Sequence, residues 1–594
     1  MPESVIQIRS LPGIKRDGTK LEGDQYVDGE WVRFQRGLPR KIGGYRSINK
    51  YLVGLPRTLH EYTQDSLTYI HAGSADHLER FYIDGSNNTS VVSDRTPTTL
   101  AANSGNMWQF DVETTAATAG LQLIAQVAPN LGCICNSVGG QLFYGDILGT
   151  APLTEVTAFP TLPVGSPSLS GGVVALHPYT FVFGNDGFVM WSPDCADFTV
   201  TGAGYAYVTG QKIVRGMPMR GGPGNSPSGL FWSADSLIRA SYTGDPTAAF
   251  QFDTISAQSS ILSAQSPIEY DGIFYWIGTD RFLMFNGVVR EIENNMNINF
   301  FFDNINMQYR QKVFAVKVPR FGEIWWCFPK GQSTEPNHAV IYNVRENTWY
   351  DTPLPNGGRG AGIFPAVFRK PLMSGVLPRD FILTSAAVDG GGLGYVAGDT
   401  LTVSGGVEDI RAELTVTTVG ALGVITGVSV SNAGSYDSPP ANPASVAGGS
   451  GSGATFDLTF VAPYKFWVHE VGTDEIDGQN IQPIRSFFET ADISLPIQTQ
   501  VNKWTQVTLV EPDFVQSGDM TLQVIGRTNA RAPEVEGPIM TITEEAQTPQ
   551  EQVVFLKTQR RELRFRFESN TIGGNYQMGL VMAHVQPSDG TTIG

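Results

Sequence analysis

The feature that most restricts the fold of this chain is a succession of short apolar and aromatic segments, bounded by Gly, Asp, Asn or Pro. Typical segments are residues 67–71, 180–183, 273–277 and 323–327, with the sequences LTYIH, TFVF, IFYWI and EIWWC. Short runs that are rich in aromatic and β-branched residues and end in turn-forming residues indicate β-strands. No long segment shows the three-to-four-residue spacing of apolar positions that is typical of an amphipathic helix. The sequence therefore predicts an all-β protein.

The segments recur in units. A unit contains an apolar strand, a turn, an aromatic strand, a glycine turn and a third strand that ends near Asn or Asp, as in residues 181–197, 268–294 and 313–353. The units lie about 40 to 60 residues apart, which is the range of the four-stranded blades of a β-propeller. A series of β-sandwich domains would show the same alternation, but it predicts a linker every ~100 residues. No such linker is visible between about 60 and 375, which favours a propeller.

Changes in composition divide the chain into four parts. Residues 379–463 are rich in Gly, Val, Thr and Ala and poor in aromatic and basic residues, which indicates a small Gly-rich β domain inserted into a surface loop. The strict alternation LRFRF at 563–567 and several similar runs predict a C-terminal β-sandwich. The predicted organisation is an N-terminal segment that closes or braces the propeller (1–60), propeller blades (61–378), the inserted domain (379–463), and final blade strands with a C-terminal β-sandwich-like region (464–594).

Charge and cysteine content restrict the class of protein. The chain has 594 residues and a net charge of −17, which is unsuited to wrapping nucleic acid because affinity for phosphate comes mainly from Lys and Arg. The same charge either keeps the protein in solution or suits a surface past which DNA slides. The four cysteines form no CxxC pair, so we expect buried free thiols, with Cys133 and Cys135 on one face of a strand, and folding in a reducing cytoplasm. Residues 1–18 lack the apolar core of a secretory signal, and no segment is apolar enough to span a membrane.

Motifs for catalysis or cofactor binding are absent from the sequence. It contains no GxxxxGK[ST] phosphate loop, no HExxH zinc motif and no GxSxG nucleophile elbow. The glycine-rich run GGPGNSPSG at 221–229 lacks a following Lys and is interpreted as a loop. His71 and His77 flank a predicted turn and are expected to have local partners, and acidic residues mostly occupy turns such as Asp271-Gly272. We therefore expect no enzyme, no metal site and no cofactor.

Residues 26–45, with the sequence YVDGEWVRFQRGLPRKIGGY, are the most specific segment of the chain. This segment resembles the N-terminal signature of the tail nozzle proteins, also called packaged-DNA stabilization proteins, of short-tailed bacteriophages. The ending GGNYQMGLVMAHVQPSDG at 573–590 is similar to the closing strand of that family, except that Tyr576 stands where a Trp is expected and no Arg follows Gly590. The residues that carry the N-terminal resemblance are Trp31, Arg33, Phe34, Gly37, Pro39, Lys41, Gly43, Gly44 and Tyr45.

The resemblance implies a structural protein of the virion tail that folds in the host cytoplasm. It implies a homo-oligomer, expected to be a hexameric ring, which continues the DNA channel below the portal and adaptor, retains the packaged DNA and lets it pass at ejection. The implied partners are the portal–adaptor ring, a tail needle or plug, tail fibres or spikes, and genomic DNA that passes through the lumen without sequence-specific binding.

Two features leave alternatives open. Arg33, Arg36, Arg40 and Lys41 form a basic cluster, which either packs against acidic neighbours in the same chain or contacts an adjacent subunit or the adaptor. Arg36 and Arg40 are the candidate assembly contacts in the second case. The inserted domain also fits a receptor-binding tail protein or adhesin, and β-propellers occur in glycan-degrading enzymes, so a tail enzyme is a further alternative.

Overall fold

The computed structural model describes residues 4–20, 24–84, 89–118, 120–134, 139–162, 168–219, 227–245, 248–365, 367–378, 380–493, 504–545, 548 and 551–588. Most of the regular structure in these residues is β-strand, arranged in many small sheets, which confirms the all-β prediction. In the described residues, helical structure is limited to short pieces, which are α1 (Ile298–Asn304) and the 3-10 turns Asn185–Gly187, Met307–Lys312 and Ala421–Gly423. Within these ranges, none of the helices has the length and apolar character needed to cross a bilayer.

The N-terminal strands are short and pair mostly with distant parts of the chain. They are β1 (Ser4–Ile8), β2 (Leu11–Ile14), β3 (Gln25–Tyr26), β4 (Asp28–Glu30), β5 (Val32–Gln35), β6 (Leu38–Lys41) and β7 (Tyr45–Leu52). The strands β5 and β6 form a hairpin, and β2 pairs with β3 in parallel.

Residues 58–353 form six consecutive four-stranded sheets, in which each strand pairs antiparallel with the next strand of the chain. Sheet 1 contains β8 (Thr58–Gln64), β9 (Leu67–Gly73), β10 (Leu78–Ile83) and β11 (Ser93–Asp94). Sheet 2 contains β12 (Asn106–Thr114), β13 (Leu121–Pro129), β14 (Gln141–Asp146) and β15 (Thr154–Glu155). Sheet 3 contains β16 (Gly172–Leu176), β17 (Tyr179–Phe183), β18 (Phe188–Ser192) and β19 (Gly204–Tyr207).

The next three sheets repeat this pattern. Sheet 4 contains β20 (Ile213–Pro218), β21 (Ser228–Ser233), β22 (Leu237–Tyr242) and β23 (Phe250–Ser256). Sheet 5 contains β24 (Ile268–Tyr270), β25 (Ile273–Ile277), β26 (Phe282–Phe285) and β27 (Val289–Glu291), and sheet 6 contains β28 (Phe314–Val318), β29 (Glu323–Phe328), β30 (His338–Asn343) and β31 (Thr348–Pro353). Asp271 and Gly272 turn the chain between β24 and β25 with φ of 52° and 80°, as their predicted turn role requires.

After two further strands, β32 (Arg359–Ile363) and β33 (Leu372–Gly375), the Gly-rich segment forms sheets of its own. Six strands pair in the order β34-β41-β40-β35-β37-β38, and β36 pairs with β39. The first and last strands lie side by side, so the segment leaves and re-enters the rest of the chain at one place. The bounds are β34 (Ile382–Leu393), β35 (Thr400–Val403), β36 (Val407–Ile410), β37 (Glu413–Val419), β38 (Ile425–Asn432), β39 (Ser435–Ser438), β40 (Ala444–Ala447) and β41 (Ser452–Val461).

Sheet 7 combines strands from three separate parts of the chain. It contains β32 and β33, then β42 (Tyr464–His469), then the N-terminal strand β7, which pairs antiparallel with β42. On the other side of β7 lie β43 (Glu475–Asp477) and β44 (Asn480–Gln482). The fourth strand of this sheet therefore comes from the opposite end of the chain.

Buried apolar side chains join each sheet to its neighbours. Between sheets 4 and 5, for example, the Trp232 ring lies 6.0 Å from Phe274 and 5.7 Å from Trp276, centroid to centroid. Sheet 7 packs in the same way on sheet 1, where Phe466 lies 5.3 Å from Phe81. The first strands of neighbouring sheets also touch, including β8 with β12, β12 with β16, β16 with β20, β24 with β28, β28 with β32, and β32 with β8.

The C-terminal strands form three sheets together with N-terminal strands. Their orders are β1-β53-β46-β50 (sheet 8), β4-β45-β51-β48-β49 (sheet 9) and β47-β52-β6-β5 (sheet 10). The N-terminal segment that we predicted to close or brace the propeller thus contributes β7 to sheet 7 and four strands to sheets 8–10. The bounds are β45 (Ser486–Glu489), β46 (Thr505–Glu511), β47 (Phe514–Ser517), β48 (Met520–Arg527), β49 (Val535–Ile542), β50 (Val554–Arg560), β51 (Glu562–Ser569), β52 (Asn575–Met578) and β53 (Val581–Pro587).

The predicted strand through Cys133 and Cys135 is wrong. After β13, Gly132 adopts φ of 71° and residues 131–134 form a turn, in which Cys133 is only half-buried. Cys135 lies outside the described residues. Cys195 and Cys327 are buried free thiols, as predicted.

Candidate functional site

The signature segment, residues 26–45, lies where sheets 6, 7, 9 and 10 meet. Trp31 anchors its beginning, because its backbone N–H donates to Thr352 Oγ1 at 3.0 Å and its indole N–H donates to the Gly43 carbonyl at 3.1 Å. The indole also meets the rings of Trp325 and Tyr45 edge-on, with centroids 6.1 and 5.8 Å away. Trp31 therefore links sheet 6 to the start of β7.

Arg33 is the centre of a buried ion-pair network. Its side chain is 1% exposed, and Nε lies 2.8 Å from Glu323 Oε1 while Nη1 lies 2.9 Å from Glu470 Oε2. The guanidinium also lies 3.7 Å from the ring centroid of Phe321. Burial lowers the pKa of Arg33, but the two carboxylates outweigh it and raise the pKa above its ordinary value. The network joins β5 to sheet 6 and to the segment that follows β42.

The hairpin between β5 and β6 turns through Arg36 and Gly37, whose φ values are 55° and 74°. Two successive residues with positive φ define the tight turn that matches the twist of a β-hairpin. Both oxygens of the Glu346 carboxylate are used here, accepting the N–H groups of Arg36 at 2.9 Å and Gly37 at 3.2 Å. Within the hairpin, Phe34 and Pro39 face each other and are buried.

The end of the signature packs closely on the segment after β42. Lys41 Nζ donates to the Gly574 carbonyl at 2.8 Å, and burial lowers the pKa of Lys41 to about 8. Tyr45 stacks on His469 with a centroid distance of 5.4 Å and donates its hydroxyl to Glu475 Oε2 at 2.8 Å. These contacts hold the C-terminal end of the signature against sheets 7 and 10.

Gly43 and Gly44 are required by this close approach. A Cβ on Gly43 would lie 2.7 Å from Glu470 Oε2, and a Cβ on Gly44 would lie 2.3 Å from the Asp474 carbonyl oxygen. The atoms that a Cβ on Gly44 would meet belong to the backbone, and they cannot move away by a side-chain rotation.

Gly44→Ala is therefore expected to lower the free energy of unfolding by about 1–3 kcal/mol, because the added methyl group forces the chain apart. Urea denaturation measures this change. Gly210→Ala is the matched control, since a Cβ there meets nothing within 4 Å, and its stability should stay within about 0.5 kcal/mol of the wild type. Equal stabilities of the two variants would contradict the close packing at Gly44.

The basic cluster predicted from the sequence divides into two pairs. Arg33 and Lys41 are buried and bonded to acceptors of the same chain. Arg36 is exposed, and Arg40 is half-buried with a hydrogen bond from Nη1 to Gln35 Oε1 at 2.8 Å. Arg33 therefore packs against acidic neighbours of the same chain. Of the two candidate assembly contacts, Arg36 is exposed and Arg40 is half-buried.

His71 and His77 have separate partners. His71 is buried in β9, where its Nε2 lies 3.2 Å from Arg95 Nη1, and His77 Nδ1 lies 3.0 Å from Asp76 Oδ1. The glycine-rich run at 221–229 falls mostly outside the described residues, and its last two residues begin β21.

Two groups of neighbouring carboxylates have members that bond to other parts of the same chain. In β12, Asp111 Oδ2 accepts the N–H of Ala175 at 2.8 Å, and Glu113 Oε1 lies 2.9 Å from His177 Nδ1, which ties sheet 2 to sheet 3. Burial raises the pKa of Asp111 to about 6. The second group, at the base of the Gly-rich segment, has carboxylate oxygens within 4.8 Å of one another, and Lys465 Nζ bonds one of its members; the group consists of Asp380, Asp409 and Asp437.

Sequence reasoning found the signature but missed its partners. Glu323 and Glu470 lie 290 and 437 residues from Arg33 in the chain, and neither stands in a recognisable motif. Phe321, whose ring the guanidinium covers, follows Arg320 in an ordinary turn sequence. No local signal identifies these residues, since their role depends on which surfaces meet.

No model of a known protein family matches this chain, and no curated protein shows a significant match to it.

Proposed function

We propose that this chain is a structural virion protein that forms the tail nozzle ring of a short-tailed phage. The proposal interprets sheets 1–7 as the blades of a β-propeller. Its support is that sheets 1–6 are four-stranded meanders, that most neighbouring first strands touch, and that sheet 7 packs on sheet 1. In this interpretation, the pairing of β7 with β42 gives the last blade a strand from the other end of the chain, and this pairing holds the circle of blades closed.

The single observation that carries the proposal is the position of the signature segment. The residues that resemble the nozzle signature form a buried joint between the proposed propeller and sheets 8–10, centred on Arg33. Buried ion pairs and close backbone contacts of this kind fix the relative position of two parts of one subunit. A subunit in the wall of a channel needs such rigidity, and the signature is accounted for without a substrate, metal or cofactor.

The acidic charge has a use in a channel wall. With a net charge of −17, the subunit offers few groups to which DNA phosphates bind. Because the Debye length is ~8 Å at physiological salt, only walls close to the DNA take part in this repulsion. We expect the loops that face the lumen to be net acidic, so that the genome is retained by the closed tail end and slides freely at ejection. The expected partners are the portal–adaptor ring above, a needle or plug below, and fibres or spikes at the side.

A receptor-binding tail protein is the second candidate, and the tip of the Gly-rich segment favours it. Leu393, Val396 and Leu422 are 57, 58 and 83% exposed, and their loops are joined by backbone hydrogen bonds. Exposed apolar patches of this kind often mark sites of interaction. This reading predicts a trimer with affinity for host glycans.

The symmetry of the purified protein distinguishes the two candidates. We expect six-fold rings with a central hole, formed by the protein alone or only after the adaptor ring is added, because the nozzle must match the channel above it. Light scattering gives the mass and negative-stain imaging gives the symmetry. A stable trimer that ignores the adaptor would contradict the nozzle proposal and favour receptor binding.

A further inference from the structure

Three guanidinium groups gather around one half-buried aromatic ring, that of Phe321, beside the joint. The Cζ atoms of Arg33, Arg320 and Arg40 lie 3.7, 5.2 and 5.7 Å from the ring centroid of Phe321. Arg33 is neutralised by the two carboxylates that bind it. In the part of the chain that the structure describes, no carboxylate is bonded to Arg40 or Arg320. The ring therefore holds two cations in place without neutralising them.

Arg40 and Arg320 border a surface cavity of about 170 Å³. Its lining also includes Lys41, Glu470 and Asn575. The Glu470 carboxylate is already bonded to Arg33, and the Lys41 ammonium adds a further positive charge beside the two arginines. A cavity of this size admits carboxylate side chains but not a nucleic acid duplex.

Two further arginines extend the positive surface. Arg36 and Arg345 are both exposed, and Arg345 donates to the carbonyls of Arg320 at 2.9 Å and Pro319 at 2.7 Å, which orients the loop without using a carboxylate. Glu346 is the acid nearest the turn, and both its oxygens accept backbone N–H groups. We name the four residues the basic surface, defined as Arg36, Arg40, Arg320 and Arg345.

We propose that the basic surface binds carboxylate side chains of a second copy of this chain, so that it forms one side of the contact between neighbouring subunits. The inference rests on the proposed ring. Charge complementarity supports this occupant, because each copy has 57 acidic and only 40 basic residues and therefore presents carboxylates in excess. Arginine suits the role, since its planar guanidinium binds a carboxylate through two parallel hydrogen bonds.

A contact of this type is compatible with a ring. A basic patch on one subunit and an acidic patch on the next are two different surfaces, and repeated contacts between them form a ring when the rotation from one subunit to the next closes. Contacts between opposite charges additionally favour one relative orientation of neighbouring subunits, because like-charged surfaces repel.

Charge reversal tests the proposal in the full chain. The double variant Arg40→Glu with Arg320→Glu should weaken ring formation about hundredfold, because it places carboxylates against carboxylates. Arg290→Glu is the matched control, since Arg290 is exposed on the edge strand β27, and it should change assembly by less than about threefold. Sedimentation velocity over a range of concentration measures assembly, with the adaptor ring present if the wild type needs it. Circular dichroism and urea denaturation verify that the variants are folded.

Three outcomes overturn the inference, and they are distinguishable. If the double variant forms rings as tightly as the wild type, the basic surface is not the subunit contact, while the nozzle proposal stands. If its rings are unchanged but it loses affinity for a fluorescein-labelled DNA duplex that the wild type binds, the surface is a nucleic acid contact. If the wild type forms no rings with or without the adaptor, both the inference and the nozzle proposal are wrong.

Discussion

Replacing Arg33 by Met is expected to lower the free energy of unfolding by about 3–5 kcal/mol, which is the usual cost of removing one partner of a buried ion pair. Glu323 is fully buried and Glu470 is largely so, and both would lose the cation that offsets their desolvation. Burial already raises the pKa of Glu323 even with Arg33 present. Without Arg33, the carboxylates of Glu323 and Glu470 lose the guanidinium that binds them, at the place where sheets 6 and 7 meet the C-terminal sheets.

Urea denaturation of Arg33→Met measures this loss, and Arg36→Met is the matched control. Arg36 belongs to the same basic cluster but is exposed, so its replacement should change stability by no more than about 0.5 kcal/mol. Adding Glu323→Gln and Glu470→Gln to Arg33→Met should recover part of the stability, because no uncompensated charge then remains. If Arg33→Met is as stable as Arg36→Met, Arg33 does not carry the joint.

The second large effect is a dependence on pH that originates at His60. Burial lowers the pKa of His60 to about 4, compared with about 6.5 in an unfolded chain. Below pH 6.5 the unfolded chain therefore binds a proton that the folded chain rejects, and stability falls as the pH is lowered until about pH 4. The shift corresponds to about 3 kcal/mol. Relative to the wild type, His60→Gln should gain that amount between pH 7 and pH 4.

Asp111→Asn is the companion variant with the opposite sign. Burial raises the pKa of Asp111 to about 6, so the folded chain holds a proton that the unfolded chain has released, and this stabilises the fold as the pH falls through 6. Removing the carboxyl should cost about 2 kcal/mol more at pH 4 than at pH 7. Urea denaturation at pH 7, 6, 5 and 4 gives both series. If the difference in stability between each variant and the wild type does not change with pH, neither His60 nor Asp111 is desolvated as described.

Secondary structure was predictable because its causes are local. The alternation of side chains across a strand and the turn chemistry of pairs such as Asp271-Gly272 depend on neighbouring residues, and the predicted aromatic segments lie in β9, β17, β25 and β29. The failure at Cys133 has a local cause as well. Apolar residues continue beyond the end of β13, but Gly132 takes a positive φ and turns the chain.

The signature shows where local reasoning ends. Its residues were recognised by their sequence, yet their role as a joint was not, because Arg33 binds carboxylates that lie 290 and 437 residues away. Which members of the basic cluster are buried likewise depends on the tertiary structure. The spacing of residues in the sequence does not distinguish the buried Arg33 and Lys41 from Arg36 and Arg40. Arg320, which belongs to the basic surface, and Phe321, whose ring it contacts, could be identified only from their positions in the folded structure.

By itself, the sequence determined the all-β character of this protein and the places of several aromatic strands, since alternation and turn preference act over a few residues. Only the tertiary structure decided that β7 pairs with β42, that N-terminal strands complete the C-terminal sheets, and which charges are neutralised inside the chain. The physical reason is that hydrophobic burial and ion pairing are properties of the surfaces that meet, and distant parts of a chain meet only in the folded state.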